Sequence, residues 1–305
     1  MVSALPVAGL LVAAVAAQTV TPDAPITAPT SCASGVQIFV ARGSTEAPGM
    51  GKIRTVAGNV TAAIPGSAIT AVDYPASFDD YAESVMNGTA NLGKLVKDYV
   101  KLCPDSKIAL LGYSQGAQAV ADLICGASSE LMPVKSADLD DIYDKNIIAM
   151  ILFGDPTRAA NQTFNYGTVT DRDGLFPRLK NDACEPYSPR LRSWCDVADR
   201  YCDPSAPGGI DTTVHGTYFN KYTQVAKDFV VEQWNLSQKY LPTRSSSGSV
   251  YPTGATGTNG TRPLQSSSAP VPTSTSTTPV TAGASKTGAA AFGAVVMAGV
   301  AAFLA

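Results

Sequence analysis

The side chains in this sequence best suited to chemistry are one serine, one histidine and a few aspartates. Ser114 lies in Gly112-Tyr113-Ser114-Gln115-Gly116, a Gly-x-Ser-x-Gly pattern. Such a pentapeptide arises by chance in many chains, so its setting decides what it means. Here it follows the apolar run Lys107 to Leu111, which reads as a strand, and opens the Ala-rich stretch Gln115 to Ile124, which reads as a helix. A sharp strand-to-helix turn crowds the backbone and needs small residues beside the serine. It lifts the hydroxyl above the sheet and turns the next backbone N–H, that of Gln115, toward a site at a helix N-terminus. A serine hydroxyl attacks poorly until a base takes its proton. His215 is the only histidine in the chain. An isolated histidine is commonly structural, but paired with Ser114 it becomes the base. From the residues alone the acid that would orient it stays open. Asp155 ends an apolar run, Asp196 and Asp199 lie between Cys195 and Cys202, and Asp203 follows. An orienting acid must be held rigidly, and a short disulfide loop from Cys195 to Cys202 would hold Asp199 near its apex.

The elements that must position these groups alternate between strand and helix. Val36 to Ala41 is an apolar, β-branched run followed by the loop Arg42-Gly43-Ser44-Thr45, and Ala68 to Val72 is a second strand, ended by Asp73-Tyr74-Pro75. Ser77 to Asp80 has capping-box spacing and predicts a helix start, with Tyr81, Val85, Leu92, Leu95, Val96 and Tyr99 as the apolar face and Gly88 as a weak point. Ile147 to Phe153 is another strand, closed by Gly154-Asp155-Pro156. Tyr218, Tyr222, Val225, Phe229 and Val230 form the stripe of a last helix. This alternation predicts a mostly parallel sheet covered by helices on both faces. His215, in a loop before the last helix, fits the chain order serine, acid, histidine.

Composition marks off the ends. Leu5 to Ala17 is apolar and closes on small residues, so residues 1–17 read as a signal peptide, although no Lys or Arg precedes the run. Residues 18–31 read as a short extension and 32–241 as one globular domain. Residues 242–287, rich in Ser, Thr, Pro, Gly and Ala, read as an extended stalk. Residues 288–305 are uncharged and mostly apolar, with Gly283, Ala284 and Ser285 just upstream. That is the layout of a GPI-anchor signal, with a plain C-terminal membrane helix as the alternative. Export agrees with an even set of six cysteines, Cys32, Cys103, Cys125, Cys184, Cys195 and Cys202, and with N-glycosylation triplets at Asn59, Asn87, Asn161, Asn235 and Asn259. No Cys-x-x-Cys pair accompanies the single histidine, which argues against a zinc site. The net charge of -3 and the absence of a basic run argue against a nucleic-acid partner.

Together these features resemble the fungal cutinase and acetylxylan esterase family (carbohydrate esterase family five). The resemblance runs from Cys32 to Trp234. It rests on Ala41 to Glu46, on Cys103 eleven residues before Ser114, on Gly112 to Gly116, and on Ser193 to Cys202 with His215 after it. It implies a single-domain α/β hydrolase with a five-stranded sheet, no large lid and no cofactor. It implies Ser114, Asp199 and His215 as catalytic triad, Ser44 and Gln115 as oxyanion donors, and disulfides Cys32–Cys103 and Cys195–Cys202, leaving Cys125 to pair with Cys184. Its substrate would be an ester of the plant cell wall or cuticle, attacked by a monomer. Asp73 to Ala76, Gly154 to Pro156, the Cys195 loop and the polar Pro204 to Val214 stretch favour the acetylxylan esterase branch, whereas Arg42 to Thr45 is closer to cutinases. A reading from another class is a wall-anchored adhesion or structural protein built on an esterase fold.

Overall fold

The computed structural model describes residues 27–126, 139, 142 and 145–239. The expected signal peptide, stalk, anchor signal and the Asn259 triplet lie outside the described residues. Six strands form one wholly parallel sheet: β1 (Val36–Ala41), β2 (Ala68–Ala71), β3 (Lys107–Tyr113), β4 (Ile147–Phe153), β5 (Asn165–Gly167) and β6 (Leu191–Cys195), in the order β2-β1-β3-β4-β6-β5. Among the described residues run the helices α1 (Arg54–Ala63), α2 (Tyr81–Leu102), α3 (Gln115–Cys125), α4 (Tyr218–Lys221) and α5 (Thr223–Lys239).

A parallel sheet covered on both faces buries every side chain of its central strands, which explains their continuous apolar runs. All residues of β1 and β4 are buried. Phe39, Leu110, Met150 and Leu152 pack on one face against Leu92 and Val96 of α2 and Val120 and Leu123 of α3. Ile38, Val40, Leu111, Ile151 and Phe153 pack on the other against Val56 and Val60 of α1 and Phe229 and Val230 of α5. Burying each such side chain stabilises the fold by about 1.5–3 kcal/mol.

Five local readings change. The sheet has six strands, not five, because Asn165–Gly167 adds an edge strand beside β6; three residues, two of them exposed, carry no periodicity to read. Helix α1 forms although Thr55, Gly58, Val60 and Thr61 are poor helix formers, because Val56, Ala57 and Val60 bury one stripe. No capping box forms ahead of α2: the Ser77 hydroxyl accepts from the Asp79 N–H at 3.1 Å, and Asp80 precedes the helix without a side-chain cap. Gly88 does not weaken α2, since the Tyr74 ring lies 2.8 Å from where a Cβ would stand and its bare backbone makes that packing possible. Val225 is 49% exposed and lies off the buried stripe, which runs through Ala226, Phe229 and Val230.

Three disulfides close, Cys32–Cys103, Cys125–Cys184 and Cys195–Cys202. The first ties the start of the sheet to the end of α2, just ahead of β3. The residues Asn59, Asn87, Asn161 and Asn235 are all exposed.

Candidate active site

Strand β3 delivers Ser114 and α3 carries the chain away from it. Between them Ser114 adopts φ +56° and ψ -122°, a left-handed strand-to-helix turn that L residues rarely occupy. The flanking glycines make the turn possible. A Cβ at Gly112 would stand 2.4 Å from the Gly116 carbonyl oxygen, and one at Gly116 would stand 2.1 Å from the Ala41 carbonyl oxygen. The second contact also shows that the exit from β1 runs directly against the N-terminus of α3. The Arg42–Thr45 loop is thereby set beside Gln115. The Ser114 N–H donates to the Phe153 carbonyl at 2.8 Å, locking the turn to the end of β4.

The Ser44 loop is held from beneath. Arg42 is buried, and its guanidinium donates to the carbonyls of Tyr74 at 2.6 Å and Glu46 at 2.9 Å, while the Tyr74 hydroxyl donates back to the Arg42 carbonyl. The Glu46 carboxylate accepts from the N–H groups of Gly43 at 2.7 Å and Lys52 at 2.9 Å. Within this frame the Ser44 Oγ is buried and has no hydrogen-bond partner. The Gln115 side chain is fixed too, donating to the Ser77 carbonyl and accepting from the Ser84 hydroxyl, each at 2.8 Å.

His215 stands in a 3-10 turn, Val214–Gly216, ahead of α4. Its ring lies between aromatic neighbours, 4.5 Å from the Tyr201 ring centroid and 5.0 Å from that of Tyr113. The Tyr113 hydroxyl donates to the His215 carbonyl at 2.9 Å. Gly154, at φ +61°, gives the ring its floor: a Cβ there would stand 2.7 Å from Cε1. Nδ1 lies 2.8 Å from Asp199 Oδ2. A carboxylate only accepts, so Nδ1 carries the proton and Nε2 keeps its lone pair. Nε2 is buried and has no hydrogen-bond partner.

Asp199 is wholly buried in the loop closed by the Cys195–Cys202 disulfide. Besides His215 it accepts from the Tyr218 hydroxyl at 2.5 Å and from the N–H groups of Tyr201 and Cys202 at 2.8 and 3.2 Å. Burial pushes its carboxyl up, but the hydrogen bonds from His215, Tyr218 and Tyr201 outweigh burial and hold it below the ordinary aspartate range. The other acids are engaged elsewhere. Asp155 Oδ1 accepts from the N–H and hydroxyl of Thr157, and burial raises its carboxyl above the usual value. Asp196 binds Lys221 at 2.7 Å and Tyr222 at 2.6 Å; Asp203 is held by Arg172 through two bonds of 2.6 and 2.7 Å. The structure therefore brings Asp199, not Asp155, Asp196 or Asp203, to His215. Among the described residues no cluster of three or more His, Cys, Asp or Glu side chains could hold a metal ion.

Two site residues went unread in the sequence. Tyr218 registers there only as a core aromatic, yet its hydroxyl holds Asp199. Tyr201 registers only as a member of a loop, yet its ring packs on the base. Neither has a local signal, because each acts through a contact across the fold. Chemically the arrangement provides a strained turn bearing a hydroxyl, an oriented imidazole with a free lone pair, and donors at a helix N-terminus, which is what acyl transfer requires.

Comparison with known proteins places these features in context. The family model for cutinase matches residues 32–234. An acetylxylan esterase of Hypocrea jecorina is 32% identical over 251 residues, covering 79% of this chain and 78% of that protein. Cutinase 11 of Verticillium dahliae is 31% identical over 234 residues, covering 72% of this chain and 75% of that protein. Among solved structures, the catalytic core domain of acetyl xylan esterase from Trichoderma reesei is 31% identical with a TM-score of 0.58, covering 67% of this chain and all (100%) of that one.

Proposed function

We propose, since the chain belongs to the cutinase family and is a carboxylic ester hydrolase, that Ser114, His215 and Asp199 form its catalytic triad and that it deacetylates plant polysaccharide. The observation that carries this reading is the 2.8 Å contact between His215 Nδ1 and the buried Asp199. It sets the imidazole in the tautomer whose Nε2 lone pair can take a proton.

In the first half-reaction Nε2 removes the Ser114 proton as Oγ adds to the ester carbonyl carbon. The negative charge moves to the carbonyl oxygen, where the Gln115 N–H and the Ser44 hydroxyl stabilise it. Collapse expels the alcohol oxygen, which takes the proton from Nε2 and leaves acetyl-Ser114. Water then repeats the sequence, releasing acetate and restoring the serine. Asp199 stays ionised throughout and stabilises the imidazolium. The buried, unpartnered Ser44 Oγ supports its role as donor, since a buried hydroxyl without a partner is costly unless a ligand supplies one.

The relatives named acetylxylan esterases support the acetyl-polysaccharide reading. A second reading, hydrolysis of cutin, is favoured by the run of aromatic contacts Phe176–Tyr81–Phe78–Tyr201 beside His215. The N-terminal residues 1–17, the stalk and residues 288–305 support a protein exported and held at the membrane or wall by a GPI anchor. In mature protein, peptides from residues 295–305 should then be absent. Replacing Ser114 with Ala tests the centre of the proposal: hydrolysis of p-nitrophenyl acetate and acetate release from acetylated xylan should both fall by several orders of magnitude. Retention of more than a few per cent of the rate places the nucleophile elsewhere.

A further inference from the structure

Behind the site lies a buried polar chain that the acyl-transfer steps do not use. Arg178 is 4% exposed, and it reaches two pieces of the molecule at once. Its Nη2 donates to Asp122 Oδ1 at 2.8 Å and to the Thr157 hydroxyl oxygen at 3.1 Å; its Nη1 donates to the Gly126 carbonyl. Asp122 and Gly126 belong to α3 and its C-terminal end, and Ser114 stands at the head of that helix. Thr157 belongs to the turn after β4. Its hydroxyl donates onward to Asp155 Oδ1 at 2.7 Å, and the Arg178 N–H donates to the Thr157 carbonyl at 3.0 Å. The same turn begins with Gly154, the floor of the His215 ring.

Asp122, Asp155, Thr157 and Arg178 are all nearly or fully buried. Charged groups so placed are retained at a desolvation cost, and replacement by apolar residues of similar volume is often tolerated for stability. Their geometry has a consequence for the reaction. Nucleophile and base are seated by different elements, Ser114 at the head of α3 and His215 against the turn after β4, and Arg178 is hydrogen-bonded to both of those elements. An error of about 1 Å in the relative placement of reacting groups costs on the order of 100-fold in rate.

We propose that Arg178, acting through Thr157 and Asp122, is a positioning residue that holds the helix of Ser114 in register with the turn that seats His215. This rests on the assignment of Ser114 and His215 as nucleophile and base.

Thr157 gives the cleanest test, because valine copies its shape without the hydroxyl and serine keeps the hydroxyl while removing a methyl. Full-length Thr157→Val, Thr157→Ser, Arg178→Lys, Arg178→Met and Ser114→Ala proteins are assayed on p-nitrophenyl acetate, with active sites counted by an organophosphonate that labels the nucleophile. Coupling predicts that Thr157→Val loses 5- to 30-fold in kcat per labelled site, with KM within twofold and a slower labelling rate. Thr157→Ser should stay within threefold of wild type. Arg178→Met should lose more than Thr157→Val, and Arg178→Lys should recover part of that loss. If Thr157→Val keeps wild-type kcat per labelled site while Thr157→Ser is the poorer enzyme, the site needs packing and the proposal fails. It fails equally if the Arg178 variants lose only thermal stability or the number of labelled sites. In each of these cases an inactive Ser114→Ala leaves the triad assignment standing, whereas an active Ser114→Ala overturns that assignment itself.

Discussion

His215 Nδ1 and Asp199 Oδ2 meet at 2.8 Å, and every other contact of that carboxylate opposes its protonation or its movement. The second oxygen accepts two backbone N–H groups, and the Tyr218 hydroxyl shares the first with the imidazole. Asp155, the rival acid, spends its Oδ1 on Thr157 within its own turn. Asn at position 199 should therefore cost kcat on p-nitrophenyl acetate about three to four orders of magnitude, because the amide N–H₂ group would hold the wrong imidazole tautomer. Asn at 155 keeps an acceptor for Thr157 and should cost less than about tenfold on the same reasoning. The reverse ranking would give the orienting role to Asp155.

How much of this was legible depended on whether the signal was local. The turn at Ser114 was, since an apolar run, a small-residue pentapeptide and an Ala-rich helix follow one another in the chain. The strands β1, β3 and β4 were legible because burial on both faces leaves unbroken apolar runs. Asp199 was not distinguishable from Asp155, Asp196 and Asp203 by residue type; the short Cys195–Cys202 loop favoured it and the resemblance selected it, while what singles it out is a contact to a histidine sixteen residues further on. Strand β5 and helix α1 escaped because three residues have no period and because burial of Val56 and Val60 overrides weak propensity. The capping-box spacing at Ser77 misled, since its hydroxyl accepts from the Asp79 N–H and its own N–H donates to the Ser84 hydroxyl oxygen rather than to Asp80.

The acid loop should set the acid limit of stability. Hydrogen bonds from Lys221 and Tyr222 hold Asp196 below the ordinary aspartate value against the cost of burial, and Asp199 is depressed in the same direction. For a carboxyl depressed in the folded state, the stabilisation is present above its unfolded pKa, about 3.9, and is lost as pH falls through the folded pKa. Asp155, raised by burial, works oppositely: its contribution favours folding in acid and declines as pH rises through and above the unfolded value. Wild-type Tm should thus drop on going from pH 5 toward pH 2, while Asp196→Asn should start lower at pH 6 and show a shallower drop. Parallel curves for the two proteins would remove Asp196 from the account.

The short disulfide loop should matter to activity before it matters to the fold. Cys195 and Cys202 are seven residues apart, so closing the loop restrains the unfolded chain by only about 2.5 kcal/mol in the chain-entropy model. Within that loop, however, lie Asp199 and the two N–H groups that fix it. A Cys195→Ala, Cys202→Ala double variant should unfold cooperatively at a reduced Tm, yet lose at least tenfold in kcat on p-nitrophenyl acetate at temperatures where it is fully folded. Full kcat in the folded variant would show that Asp199 is held without the bridge.

Acyl-chain length should be limited by a stack of two rings. Tyr201 packs its ring 4.5 Å from His215, and Phe78 stacks on Tyr201 at 6.3 Å from the loop ahead of α2. Stacked in this way, the two rings would wall the side of the imidazole on which they lie. A groove that buried each added methylene would gain up to about 0.8 kcal/mol per group, close to fourfold in kcat/KM. A closed wall forfeits that gain. The native protein should therefore turn over acetate and butyrate p-nitrophenyl esters faster than esters of about twelve carbons, on this burial argument. Phe78 touches neither Ser114 nor His215 among its ring contacts, so Phe78→Ala should open the wall while leaving acetate turnover within about threefold of wild type, and the ratio of long-chain to acetate kcat/KM should rise about tenfold, equivalent to roughly two newly buried methylenes. A native enzyme whose kcat/KM climbs steadily with chain length and releases no acetate from acetylated xylan would show that the aromatic run is itself the groove, and would make the substrate an aliphatic polyester.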